Sequence, residues 1–244
     1  METSSRYLYL DVMRGIAIAL MFIYHFCYDL TYFGIIYFDF LNHPFWLTFR
    51  TIIVSLFLLV VGISLHLATH KGIKPKPYFK RLGLLVLCSL LVSASSYVMF
   101  PSSMIIFGIL QFIALASVVG LLFVRLYWSN LLLGIIAIIL SQTVRHPFFD
   151  HPATYWFGLV TKRPVTQDYV PFLPWFGVVL IGLFIGRWLY TQGNASTLLK
   201  WQNSHRLVQL LALAGRHSLL LYMAHQPVII GVMGATVWLV QQIV

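Results

Sequence analysis

The sequence predicts an all-α, polytopic membrane helix bundle of about seven transmembrane helices, with the N-terminus cytoplasmic and the C-terminus outside. Three observations carry that expectation. Of the 244 residues, 60% are hydrophobic and only 9% are charged, against about 25% charged in an ordinary soluble domain. The interval from Leu82 to Val124 contains no Asp, Glu, Lys, Arg or His. The sixteen Lys and Arg residues fall unevenly on the loops between apolar segments, as they do in membrane proteins.

A bilayer-spanning helix needs about 20 mostly apolar residues. The first such segment, roughly 8–36, follows Arg6 and is too long, and too polar in its lower half, for a cleavable signal peptide. It is expected to be a retained span. The second is roughly 46–68. The run 82–124 reads as two spans, because Pro101-Ser102-Ser103 breaks it near the middle. Further spans are expected at roughly 126–143, 170–189 and 217–241, with a short interfacial helix at 205–214. No internal repeat or second domain is visible, so residues 1–244 read as one integral-membrane domain. The loop 144–169 is the single long segment expected on the outer side.

Orientation follows from the cations. With the N-terminus inside, Arg50, Arg145, Lys162 and Arg163 face outward, and the other twelve of the sixteen, Arg6, Arg14 and Lys200 among them, face the cytoplasm. Asp29, Asp39, Asp150 and Asp168 fall toward the outer side. The net charge of +10 is thus a sidedness signal and no footprint for nucleic acid. Cys27 and Cys88 both sit inside apolar runs, which excludes a disulfide framework. Gly-rich phosphate loops, CxxC pairs, a G-x-S-x-G elbow and HExxH are absent. The residues His146, Asp150 and His151 have metal-capable types at unsuitable spacing, and no metal is expected.

The polar residues inside spans carry the functional argument, since each ionisable one costs roughly 2.5–3.5 kcal/mol on insertion scales. The first span holds Asp11, Arg14, His25 and Asp29. At about 100° per residue all four fall within a stripe about 60° wide, which must face the bundle interior or a wet cavity. Arg14 and His25 are separated by about 16 Å along the axis. That puts Arg14 near the cytoplasmic mouth and His25 in the middle to outer half. One turn separates His25 from Asp29, so the carboxylate is able to orient the imidazole as a general base. In the last span, His225 and Gln226 precede Pro227, where a kink is expected to free backbone carbonyls. They are either a second polar point of a site or partners for that backbone. Gln111, in the fourth span, fits an interhelical hydrogen bond better than a ligand contact. Lys80 and Arg81 close a cationic loop, His66–Arg81, suited to the positive-inside signal or to holding a polyanion. Asp168 and Tyr169 end the outer loop, Trp175 lies in the first turns of the next span, and the three could shape an entrance.

The opening residues Tyr7-Leu8-Tyr9-Leu10-Asp11-Val12-Met13-Arg14-Gly15-Ile16-Ala17, with Tyr24-His25-Phe26 and Asp29-Leu30, resemble the first helix of a bacterial membrane family. That family is similar to the catalytic domain of heparan-α-glucosaminide N-acetyltransferase, within the wider transmembrane acyltransferase superfamily. Residues 57–65 (FLLVVGISL), 107–114 (FGILQFIA), 168–177 (DYVPFLPWFG) and 215–227 (GRHSLLLYMAHQP) agree with it in order. The resemblance implies transfer of an acetyl or short acyl group from cytoplasmic acetyl-CoA, as cosubstrate, to an amine or hydroxyl on the outer side, typically of a sugar. It carries the catalytic histidine onto His25, with Asp29 beside it. It further implies a multi-pass protein of the bacterial inner membrane, in contact with lipid and open to homo-oligomerisation.

Arg14, Lys80, Arg81, His225 and Gln226 are then the expected donor-binding residues, and Asp168, Tyr169, Trp175 and Gln111 the expected acceptor contacts. Read without the resemblance, the stripe Asp11/Arg14/His25/Asp29 also suits a proton-coupled transporter or channel, or the docking seam of a non-catalytic scaffold.

Overall fold

Apolar runs buried in lipid or protein must satisfy their own backbone, and helices do so within one segment. The computed structural model describes residues 7–191 and 201–243, and among these every regular element is helical. Arg6 and Lys200, two of the expected cytoplasmic cations, lie outside the described residues. The helices are α1 (Leu8–Tyr32), α2 (Pro44–Thr69), α3 (Pro75–Met99), α4 (Ile109–Val119), α5 (Trp128–Thr143), α6 (Phe172–Thr191), α7 (Arg206–Arg216) and α8 (Ser218–Ile243). Of these, α1, α2, α3, α6 and α8 are long and apolar enough to cross a membrane, while Ile109–Leu122 and Trp128–Thr143 are shorter apolar helices.

Three boundaries differ from the sequence expectation, each for a local reason. The first span ends at Tyr32 because Gly34 turns left-handed (φ 70°) and Ile35 N–H returns to the Leu30 carbonyl at 2.9 Å. Helix α3 begins at Pro75, seven residues before the apolar run, because proline suits the first helical position. Much of the expected cationic loop is therefore helical. The fourth apolar segment starts its helix only at Ile109. Before it, Ile105 N–H donates to Ser96 Oγ (2.9 Å), and Val170 N–H takes the Phe107 carbonyl (3.3 Å). These bonds replace the helical ladder over 104–108. Helix α8 continues through Pro227.

The chain forms two compact units, 1–57 with 197–244, and 58–196, the boundary falling within α2. In the first unit, α1 packs against α7 and α8. The α1–α7 contact is backbone to backbone: a methyl at Gly15 would collide with the Leu211 carbonyl, and one at Gly215 with the Asp11 carbonyl. Small residues allow this approach where lipid removes the hydrophobic drive between helices. Helix α7 leaves Leu207, Leu210 and Leu213 exposed. The unit's core joins Ile18, Met21 and Tyr24 of α1 to Phe40, Trp46 and Ile53. Its aromatic centre has Phe40 and Trp46 at 4.4 Å and Tyr24 edge-on to Phe40 at 5.2 Å. Asp39 shapes the intervening turn by accepting from Asn42 N–H (2.9 Å) and Leu41 N–H (3.1 Å). The Asn42 backbone bond foremost holds its carboxyl below the usual range.

The second unit is built around α6. Glycines let its neighbours approach: Gly182 meets the Leu59 carbonyl of α2, and Gly177 meets Gly134 of α5. The loop 144–169 folds on itself through Asp150, which accepts from Thr161 N–H at 2.7 Å and from the Thr161 hydroxyl. Phe149 and Phe157 stack beside this clamp at 5.3 Å.

Candidate functional site

In the first unit, residues 201 positions apart meet. Gln226 Nε2 lies 2.8 Å from His25 Nδ1, and the His25 and His225 rings are edge to face with centroids 4.8 Å apart. Tyr24 packs edge-on to His25 at 5.7 Å, and Phe22 lies 5.6 Å from His225. The C-terminal third of α1 and the first third of α8 therefore set these side chains by helix packing, with no loop involved. His225 donates through Nδ1 to the Tyr222 carbonyl, so in the neutral ring Nε2 is the unprotonated nitrogen. This bond goes to Tyr222 and leaves the Met223 carbonyl, the one Pro227 cannot serve, without help from His225.

Asp29 is 2% exposed, and its carboxyl has the Gln226 side chain as hydrogen-bond partner. The expected direct pairing of Asp29 with His25 is replaced by a chain in which Gln226 touches both. Three buried polar atoms of this cluster have no partner among the described residues: Asp29 Oδ2, Gln226 Oε1 and His225 Nε2. Each such atom costs about 1–3 kcal/mol, so three in one place mark a set of groups arranged for something other than stability.

Closer to the start of α1, Asp11 is 4% exposed and grips two arginines: Arg14 Nη1 at 3.2 Å on Oδ1 and Arg216 Nε at 3.3 Å on Oδ2. Arg14, expected to face a donor phosphate, is engaged by its own helix. Arg216 entered the sequence argument only as a cytoplasmic cation. Nothing local pairs it with a carboxylate at the far end of the chain.

The remaining expected residues lie in the second unit and divide by role. Gln111 stands in the first turn of α4 and is fully engaged there. Its Oε1 accepts from Gly108 N–H (3.2 Å), and its Nε2 donates to Ser93 Oγ (2.8 Å) and the Ser89 carbonyl (3.2 Å) on α3. Asp168 Oδ2 accepts from Ile109 N–H at 2.8 Å, capping α4 from 59 residues away. Tyr169 donates to the Tyr155 carbonyl at 2.8 Å, and burial pushes its phenol well above the ordinary range. Trp175 is half-buried in the first turns of α6. Lys80 and Arg81 are exposed on the early turns of α3. A cavity of about 750 Å³ opens in this unit, lined by His66, His70, Arg125, Arg187 and Tyr190 among others. It draws on three chain segments, 66–73, 121–125 and 187–190; the sequence placed His66 and His70 in the cationic loop and Arg125 and Arg187 among the cytoplasmic cations. Among the described residues no group of three or more His, Cys, Asp or Glu side chains is arranged to hold a metal ion.

A family model described as "Heparan-alpha-glucosaminide N-acetyltransferase, catalytic" matches residues 6–227. No curated protein and no solved structure matches the chain.

Proposed function

Since the chain belongs to the heparan-α-glucosaminide N-acetyltransferase catalytic family, a family of transmembrane acetyltransferases, we propose that it moves an acetyl group from cytoplasmic acetyl-CoA to an outer-side amine or hydroxyl, foremost of a sugar. The observation that carries this reading is the contact of His25 with Gln226 and His225 beside a buried Asp29.

In this mechanism His25 is the general base. A half-turn of the Gln226 amide exchanges the donor and acceptor it presents to Nδ1. With the carbonyl there, the ring proton stays on Nδ1 and Nε2 becomes the basic nitrogen. Nε2 takes the proton from the acceptor as its nitrogen or oxygen attacks the acetyl carbon. The new C–N or C–O bond forms, the C–S bond breaks, and the imidazolium returns its proton to the coenzyme A thiolate. Asp29, one turn along α1 from His25, stabilises the transient positive charge through space. His225 lines the reacting space with its own unprotonated Nε2. Lys80 and Arg81, as exposed cations, attract the polyanionic donor over longer distances.

The orientation that suits this route has the N-terminus cytoplasmic, supported by twelve of sixteen cations on that side, in a bacterial inner membrane crossed by all seven apolar segments. The test is transfer of labelled acetyl from acetyl-CoA to a methyl α-glucosaminide by the detergent-purified protein. His25→Ala is expected to lower the rate by about 10²–10⁴ while the variant elutes as a folded protein. Undiminished transfer removes His25 from the chemistry.

A further inference from the structure

The cavity of the second unit lies where three helical segments end: α2 at Thr69, the short 3-10 turn at Gly120–Leu122 after α4, and α6 at Thr191. Helix C-termini present carbonyls with partial negative charge, which alone would repel an anion. Here those carbonyls are already answered. His66 bonds the Val124 carbonyl, His70 Nδ1 lies 2.9 Å from the Leu67 carbonyl, Arg187 Nη1 donates to the Arg125 carbonyl, and Thr69 Oγ1 to the Leu65 carbonyl at 2.7 Å.

Capacity is left over once that capping is complete. The Arg125 guanidinium takes no hydrogen bond or ion pair among the described residues, and His70 Nε2 is buried without a partner. Among the described residues no Asp or Glu lines the cavity. The groups are held in place: the Tyr190 ring lies 4.1 Å from His70, and the Arg187 guanidinium sits 5.0 Å over the Tyr127 ring. A volume of about 750 Å³ is that of a small-molecule site, large enough for an anionic group and the organic body attached to it.

We propose that this cavity binds a phosphate ester. The forked donors of Arg125 match phosphate oxygens, and the Arg187 charge lies in the same lining. His70, with its proton committed to the Leu67 carbonyl, offers Nε2 as an acceptor for a hydroxyl of the ligand. Two sources share that chemistry: a soluble nucleotide and a phospholipid headgroup. None of its residues belongs to the His25 cluster; because the acyl donor of the proposed reaction is itself a phosphate ester, the Arg125 comparison, and not binding alone, assigns the ligand to this cavity.

Calorimetric titration of the full chain in detergent tests it, with adenosine 3′,5′-bisphosphate, dihexanoyl phosphatidate and, as the phosphate-free control, adenosine. At least one phosphate compound is expected to bind and adenosine is not. Binding of the nucleotide alone identifies a soluble ligand, and binding of phosphatidate alone identifies a headgroup. Arg125→Gln is expected to weaken the bound compound by about tenfold or more, and Lys162→Gln, on the outer loop, to leave it unchanged. If Arg125→Gln does not fold, His70→Gln supplies the same comparison. Failure of both phosphate compounds to bind, or parental affinity in the folded variants, overturns the proposal. His25→Ala leaves the titrations as they are, so failure of the catalytic reading is read separately.

Discussion

Asp11 and Arg216 stand 205 residues apart in the sequence and 3.3 Å apart in the fold, with Arg14 on the other carboxylate oxygen at 3.2 Å. Removing Asp11 leaves two guanidiniums facing one another at a helix junction, whereas removing Arg216 leaves Asp11 still paired with Arg14. Both arginines keep partial access to water, which moderates the cost relative to a sealed pair. Asp11→Ala is expected to lose about 1–3 kcal/mol and Arg216→Ala less. Thermal unfolding in detergent reads the difference, and equal melting temperatures for Asp11→Ala and the parent would refute the clasp.

The same junction carries the glycine contact. Gly15 and Gly215 touch the carbonyls of Leu211 and Asp11, and backbone cannot move aside as a flexible side chain does. Gly15→Ala and Gly215→Ala are each expected to cost about 1–3 kcal/mol or more by overpacking. Gly231, in α8, has nothing within 4 Å of an added methyl, so Gly231→Ala is the neutral control. Comparable melting temperatures for all three would contradict the close approach of α1 and α7.

Asp150 ties the loop 144–169 together through Thr161, whose hydroxyl foremost holds the carboxyl below its ordinary value of 3.8. A carboxyl whose folded pKa is depressed adds stability that is complete above the unfolded value. That stability is lost as pH falls through the lower, folded value. Hydrogen exchange over residues 144–169 is therefore expected to quicken as pH drops below about 4, after correction for intrinsic exchange. In Asp150→Asn this acid-dependent step disappears. A step that persists in Asp150→Asn would assign the acid sensitivity to another group.

How far the sequence reveals this molecule depends on the distance over which each feature is encoded. The apolar runs of α1, α2, α3, α6 and α8 and the break at Pro101 are local, and the helices lie where those runs are. The late start of α4 was hidden because residues 104–108 are as apolar as the helix after them. Their non-helical course depends on Ser96 and on the chain near Val170. The same holds for site residues. His25 and Asp29 share a face because they are one turn apart, which periodicity reveals. That Gln226 touches both requires the packing of α8 on α1. Asp168 looked like an exposed acid near an entrance, but its partner is the first amide of α4, 59 residues earlier.

Gln226 offers the sharpest test of how the cluster works. If it acts by fixing the imidazole of His25, its loss should misplace the base without removing a binding contact. Misplacement of a reacting group costs about 10²-fold, and a group acting only in the transition state changes kcat with KM nearly constant. Gln226→Leu, close in size but unable to hydrogen-bond, is expected to lower kcat by about 10–100-fold at near-parental KM. Gln226→Glu retains an oxygen able to accept the Nδ1 proton and should recover part of that loss. Labelled-acetyl transfer measured across acetyl-CoA concentrations separates the two constants. A rise in KM with kcat unchanged would make Gln226 a donor-binding residue, as first expected from the sequence. Equal rates in Gln226→Leu and Gln226→Glu would show that the hydrogen bond to His25 is not what the reaction uses.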